Sequence, residues 1–443
     1  MINLFEVFDK KAIVLYKSFQ FSGINRETIV IEEDGFLPEG ISTPYQFFAN
    51  NGQMPIKPLF FNQVEIPRFW MIEANNESAV IKNLTDIKAR IIYKKNYKFR
   101  IVERIEWLNN RGYTQYIDYY NQYGFRYAQV LLDEYTHRRV LKHFFNYKGD
   151  IVMTENVATN NIILNWNDQT YIFQSKIQFM QFYLKATHLE NNGFLINSLS
   201  LPMAVISGLN TSAPHCLFWQ DEITVDTIRH MENLLSREQH KFKIAVSGHA
   251  AYKQLQRVID TKWHDKIIES GYVYKFIKQN KQSNQVLTLT NSDQLPHIEE
   301  LVKEHPQLDF HIAAITEMSN VLLNLDQYSN VKLYPNAKRA QFTELYKTCD
   351  IYLDINRGNE ILDAVRAAFD YQLLILGYQD TAHNTVVTAP TNLFNLAEPK
   401  TLSQILLNVS RDTNLFIKHL DAQLQQGASI EIKTFKNTMN IDI

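Results

Sequence analysis

A chain of 443 residues, 45% of them hydrophobic, is too long for one core and divides, at ~150 residues per domain, into two or three domains. Its 45 basic and 47 acidic side chains leave a formal net charge of -2, so bulk charge gives no reason to expect nucleic acid or another polyanion as partner. Cys216 and Cys349 provide neither a zinc spacing nor a disulfide framework, which fits a reducing cytoplasm, and no apolar run approaches the ~20 residues of a membrane span.

The N-terminal stretch is interrupted by Glu6, Asp9, Lys10 and Lys11 and reads as neither signal peptide nor anchor. AIVLYKSF and TIVIEED are β-branched and end in polar turns, so both read as strands. GFLPEGISTPYQFF follows, broken by Pro38 and Pro44. From Lys57 to Asn165 short, aromatic, often alternating runs succeed one another. NNRG (109–112), NQYG (121–124) and NYKG (146–149) punctuate them as tight turns. This spacing predicts an antiparallel meander of roughly 100 residues inserted in another unit.

Beyond it, KIQFMQFYLKATHLENNG has helical periodicity up to Gly193, LPMAVISGLN and PHCLFWQDE read as strands, and VDTIRHMENLLSREQH reads as a helix. A second unit starts near Lys241 with FKIAVSG as a strand and AYKQLQRVIDTKWHDKIIESG as a helix. Strand–helix alternation then continues through LLILGY, which argues for a doubly wound parallel sheet. The expected division of this α/β chain is an N-terminal Rossmann-like domain (1–52 and 166–238), a β-meander domain (53–165), a C-terminal Rossmann-like domain (239–408) and C-terminal helices (409–443).

That order resembles GT-B glycosyltransferases with an inserted β-sheet domain. DGFLPEGISTPYQFF, PLFFNQVEIPRFW, ARIIY, WLNNRGYTQYIDYYNQYG and GDIVMTENVATNNIIL narrow the match. They resemble the stabilising (chaperone) subunits of the accessory-Sec O-GlcNAc transferase of Gram-positive bacteria, with the D-x-Y-N-x-Y-G run at 118–124 as the most specific part. The resemblance covers nearly the whole chain. It implies a catalytically silent GT-B-like subunit bound to a catalytic O-GlcNAc transferase subunit and to the polypeptide of a serine-rich repeat adhesin. UDP-GlcNAc is then expected on the partner subunit, and the complex in the cytoplasm, peripheral to the membrane near the secretion machinery.

Residue by residue, the donor chemistry of a retaining GT-B enzyme is missing. Such a site neutralises a diphosphate with an Arg and a Lys and with a helix N-terminus. In active relatives a G-R-x-x-x-x-K-G run supplies the pair. Residues 288–298 hold no Arg or Lys, and Asp293 repels phosphate there. Two glutamates eight residues apart normally grip the sugar and ribose; in DINRGNEILDAVRAAFDYQLLILGY those positions hold Gly358 and Arg366. SFQFSGINRE, taken as the first phosphate-approach loop, has only Gly23. Arg366 reads as a helix arginine on a solvated face, with a partner carboxylate or phosphate as the functional alternative. His297, Glu300, Glu304 and His305 lack the H-E-x-x-H spacing and read as a solvated face. No catalytic, cofactor-binding or metal residue is assigned.

The positive feature is the tyrosine-rich part of the meander. Tyr116, Tyr119, Tyr120, Asn121, Tyr123 and Arg126 form the expected acceptor or partner surface. One sheet face must be core; the other could hold an extended Ser/Thr-rich chain, and the edge strands could pair with a partner's sheet. The alternative function is an active retaining GT-B transferase acting on a protein or wall polymer through an unusual donor site.

Overall fold

The computed structural model describes residues 1–49, 57–95, 97, 99–237 and 241–440. A seven-stranded parallel sheet has the order Ile267–Ser270, Phe242–Ser247, His215–Trp219, Phe194–Ile196, Ile2–Phe5, Thr28–Val30, Ile41–Ser42. A six-stranded parallel sheet has the order Val331–Tyr334, Asp309–Ala314, Gln285–Thr290, Ile351–Asp354, Leu374–Tyr378, Leu393–Phe394. Between them in sequence, a ten-stranded antiparallel meander runs in chain order from Met71–Ala74 to Gln169–Phe173. The molecule is therefore a pair of Rossmann-like units with an inserted meander, the GT-B-like class expected.

Several local expectations are corrected. AIVLYKSF lies in a helix, Lys10–Phe21. Asp9 caps it, its carboxylate accepting from the Ala12 N–H at 2.9 Å, and Ala12, Leu15 and Phe19 form one buried stripe. The first strand is instead Ile2–Phe5, buried throughout. LPMAVIS is a helix, Leu201–Ser207, so Ser207 ends a helix and not a strand. The strand before it is Phe194–Ile196, three buried residues that an alternation pattern is too short to reveal. The helix His249–Val258 stops well before the strand Ile267–Ser270.

Phe242–Ser247, expected to open the second unit, pairs with His215–Trp219, Ile244 opposite Leu217. The first sheet thus takes Phe242–Ser247, expected as a strand of the second unit, and Ile267–Ser270, expected as the end of a helix there; the second sheet's own first strand is Gln285–Thr290. The boundaries expected at 52/53 and 238/239 lie outside the described residues. The meander passes 165, because Ile162–Trp166 forms a hairpin with Gln169–Phe173. The helix Pro399–Arg411 spans the division expected at 408/409.

The three predicted tight turns share one construction. The Asn109 Oδ1 accepts from the N–H groups of Arg111 and Tyr113, Asn121 from Tyr123 and Phe125, and Asn146 from Lys148 and Asp150. Gly112, Gly124 and Gly149 close them with φ of 83°, 84° and 88°.

The meander buries opposite faces at its two ends. Near its start, Ala79, Ile81, Ile91, Val102 and Ile105 pack under Leu59, Val64 and Trp70. Towards its end the other face carries Ala128, Phe144, Met153, Leu164 and Phe173 onto Phe48, Phe179 and Tyr183 of the first unit. Lys176 pins this seam, reaching Glu32 at 2.5 Å and Glu155 at 3.0 Å. The C-terminal segment spans both parallel sheets. Gln423 bonds the backbone of Ile375 and Leu373 in the second unit, and Phe435 packs on Phe19 of the first with ring centroids 5.2 Å apart.

Candidate functional site

Open parallel sheets bind ligands beyond the carboxyl ends of their strands, where neighbouring loops leave in opposite directions. In the first sheet this reversal falls between Ile2–Phe5 and Phe194–Ile196; in the second, between Gln285–Thr290 and Ile351–Asp354. Lys10, just past the first reversal, meets Asp363, just past the second, at 2.9 Å. The two reversals therefore face one interdomain cleft.

At the second reversal the chain fills its own site. Asn356 is buried; its Oδ1 accepts from the Thr290 hydroxyl at 3.0 Å and the Gly358 N–H at 3.0 Å, and its Nδ2 donates to Asn291 Oδ1 at 3.2 Å. A Cβ on Gly358 would fall 2.0 Å from Asn291 Oδ1, so the position where an acid was sought has no room for a side chain unless Asn291 moves. Glu360 accepts from the Val365 N–H at 3.1 Å, placing a carboxylate on the N-terminus of the helix Ala364–Asp370, where a phosphate would otherwise gain its backbone donors. Burial pushes the Glu360 carboxyl up.

His383 completes the closure. It bonds Asp354 at 2.5 Å through Nδ1 and the Gly358 carbonyl at 2.8 Å through Nε2. The bond to buried Asp354 raises its pKa to about 9, so the ring is an imidazolium donating from both nitrogens at neutral pH. The two loops carry one arginine, exposed Arg357, and no lysine, against three acids, Asp293, Glu360 and Asp363. They offer a diphosphate no net positive charge. Asp293 lines a separate hollow with His297, Glu299, Glu300 and Lys303.

Arg366 points elsewhere. Its guanidinium pairs with Asp370 at 2.9 Å and lies over the Tyr274 ring, 5.2 Å from the centroid. It is half-buried and held by its own chain, so the solvated-face reading is corrected. His305 is likewise corrected: it is buried, bonding Ser403 at 2.8 Å.

At the first reversal the loop after strand one is Glu6 to Asp9, not SFQFSGINRE, and contains no glycine. Glu6 Oε2 accepts from the Ser198 hydroxyl at 3.3 Å and from the Ser200 hydroxyl. Sequence reasoning missed Glu6, Ser198, Ser200, His383 and the Asn291–Asn356 pair, since each gains meaning only through a residue distant in the chain.

The structure separates the meander residues. Tyr116 and Asp118 lie on the face left open over the second half of the meander, and Trp107 stands at its border, partly packed against the core under the first half. Trp107 stacks on Tyr116 at 5.9 Å, and buried Asp118 accepts from Trp107 Nε1 at 2.9 Å, Gln129 at 2.8 Å and Arg126 at 3.2 Å. Tyr120, paired with Arg126 across the hairpin, packs partly against the core under the first half of the meander; burial raises its phenol to about 12. Tyr119 lies on the opposite face, against the core shared with the first unit, edge-on to Tyr127 at 6.4 Å. Asn121 is buried as the turn's organiser, and with Tyr123 and Glu33 it lines a cavity of about 110 Å³ between the hairpin and the loop after Thr28–Val30. Only Tyr116, Tyr120 and Arg126 of the six expected residues thus share one surface.

Family models match in chain order: the GtfB N-terminal domain at 2–48, the GtfB middle domain at 70–174, the GtfB third domain at 176–258, and the GftB/GlyA-F C-terminal domain at 286–423. The UDP-N-acetylglucosamine–peptide N-acetylglucosaminyltransferase stabilizing protein GtfB of Streptococcus agalactiae is 36% identical over 98% of this chain and 97% of its own. A chain in a crystal structure of a GtfA/B complex bound to UDP and GlcNAc superposes with a TM-score of 0.91 at 32% identity, covering 99% of both chains. The pneumococcal O-GlcNAc transferase GtfA superposes with a TM-score of 0.56 at 12% identity, covering 99% of this chain and 97% of its own, a likeness of fold.

Proposed function

The chain belongs to the GtfB family of peptide N-acetylglucosaminyltransferase stabilising proteins, and from that premise we propose that it is the non-catalytic subunit of a protein O-GlcNAc transferase. It stabilises a catalytic partner of the same fold, and it holds the Ser/Thr-rich polypeptide of a serine-rich repeat adhesin for modification before accessory-Sec export. UDP-GlcNAc binds the partner. The observation that carries this reading is the self-closure of the second reversal: Asn291, Asn356, Glu360 and His383 occupy the space and the backbone donors that a nucleotide sugar would need.

The open face of the meander around Trp107, Tyr116 and Arg126 is the docking surface assigned to the partner, since aromatic and arginine side chains on a rigid sheet lose little entropy on binding. The division into four segments, with the boundaries corrected above, is kept as the working domain organisation. No helix among the described residues is long and apolar enough to cross a membrane. We further propose that the complex works in the cytoplasm, peripheral to the membrane.

Calorimetric titration of the purified chain tests the reading. Binding of a serine-rich peptide without binding of UDP-GlcNAc is the expected result. Micromolar UDP-GlcNAc binding or transfer by this chain alone would replace it with an active transferase.

A further inference from the structure

We propose that Glu6 is the hydroxyl-docking residue for the acceptor and that the chain's own Ser198-Leu199-Ser200 segment occupies it as an internal substitute in the absence of acceptor. The inference rests on the acceptor-holding role given above. Glu6 ends the first strand at the sheet reversal, the place in a parallel sheet where a ligand is expected. Its side chain is half-buried, and both serine hydroxyls lie within reach of one oxygen, Oε2, the Ser198 hydroxyl shared between Glu6 at 3.3 Å and the Ser200 hydroxyl at 3.1 Å. Two hydroxyls separated by one residue and donating to a carboxylate reproduce what a serine-rich chain would present. A carboxylate is the acceptor that hydroxyl donors bind most strongly.

The local structure of Ser200 supports substitution over simple scaffolding. Ser200 is the N-cap of the helix Leu201–Ser207, a position where a serine oxygen ordinarily accepts from the first-turn N–H groups. Here it makes no such bond. Its hydroxyl is turned to Glu6 instead, leaving the cap unmade. Ser198 orders the same turn, its oxygen accepting from the Ser200 N–H at 3.1 Å. An arriving acceptor hydroxyl that takes Glu6 releases Ser200 to cap its own helix. The exchange trades one hydrogen bond for another, so the internal contact holds the site without closing it.

Nearby groups suit an extended polypeptide. Asn197 Oδ1 is buried without a hydrogen-bond partner, and a backbone N–H reaches it once the Asn197 side chain turns outward. Asn197 Nδ2 lies 3.5 Å from Gln220 Oε1, a long contact that a peptide carbonyl could take over. Lys10 bridges to Asp363 above the same loop, through side chains 85% and 44% exposed, a contact weak enough to part as a chain enters.

The test is calorimetric titration of the full chain with a synthetic twenty-residue Ser/Thr-rich peptide. Wild type is compared with S198A/S200A, E6Q and the triple variant, and each fold is checked by thermal melting. Removing the internal hydroxyls is expected to tighten peptide binding by roughly three- to tenfold, the span of one hydrogen bond's net contribution. E6Q is expected to weaken it by a similar factor while keeping shape and an acceptor oxygen. In the triple variant the gain from the serine substitutions should vanish. Wild-type binding unchanged by S198A/S200A, or a gain that persists without Glu6, overturns the internal-substitute role while leaving the acceptor reading intact. Absence of peptide binding in every variant, wild type included, overturns both. A third readout is hydrogen exchange at the start of the helix Leu201–Ser207: peptide should slow it in wild type, as Ser200 becomes a cap, and not in S198A/S200A.

Discussion

His383 gives the sharpest prediction, because its contribution is titratable and local. The ring is held between buried Asp354 and the Gly358 carbonyl, and its side chain is only 15% exposed, so solvent screening is modest. The rise of its pKa from 6.5 to about 9 corresponds to roughly 3 kcal/mol favouring the closed loop. Because the folded-state pKa is the higher one, that contribution is complete below about pH 6.5, declines above it, and is gone once the pH has risen through about 9. The loop 355–363 should therefore loosen in mildly alkaline solution while the rest of the second sheet holds.

Fluorescence cannot report this, since the five tryptophans all precede residue 264. Hydrogen exchange of peptides spanning 354–363, normalised to the intrinsic rate at each pH, can. Protection in wild type should fall by roughly two decades between pH 6.5 and 9.5 relative to H383N, which has no titrating ring. Parallel curves for the two proteins would refute the imidazolium lock, and with it the claim that the donor loop is held shut by charge.

Restoring an acid to the donor position should not revive it: G358E must displace Asn291 and still meets Glu360 on the helix N–H groups, so titration should show no micromolar UDP-GlcNAc binding. Gly35 has φ +80°, and an added Cβ would lie 2.7 Å from the Tyr127 ring and 3.0 Å from the Tyr120 carbonyl; G35A should cost about 1–3 kcal/mol, read as a lowered melting temperature. Y116A, on the open face, should cost about 1 kcal/mol or less yet reduce capture by the catalytic partner, whereas Y119A, on the core face, should cost about 2–4 kcal/mol; equal stability losses would show that the faces are wrongly assigned.

How much of this was legible in the sequence depended on the range of the interaction involved. Short-range chemistry was fully readable: Asn and Gly three apart specified each meander turn, since an asparagine oxygen reaches its own backbone and glycine tolerates positive φ. Strand–helix alternation specified the second parallel sheet, and the missing bases and acids already pointed to a silent donor site. Signals compressed into three or four buried residues were lost. Phe194–Ile196 has no polar alternation to mark it, and Ile13 and Val14 masked the helical stripe of Ala12, Leu15 and Phe19. Only tertiary structure decided which sheet Phe242–Ser247 joins, because strand pairing is a choice among neighbours that equally buried strands leave open. Only it showed what fills the cleft. Sequence records that acids are missing at 358 and 366; it takes the fold to bring Asn291, His383 and Ser200 within hydrogen-bond reach of partners that lie from 25 to 194 residues away along the chain.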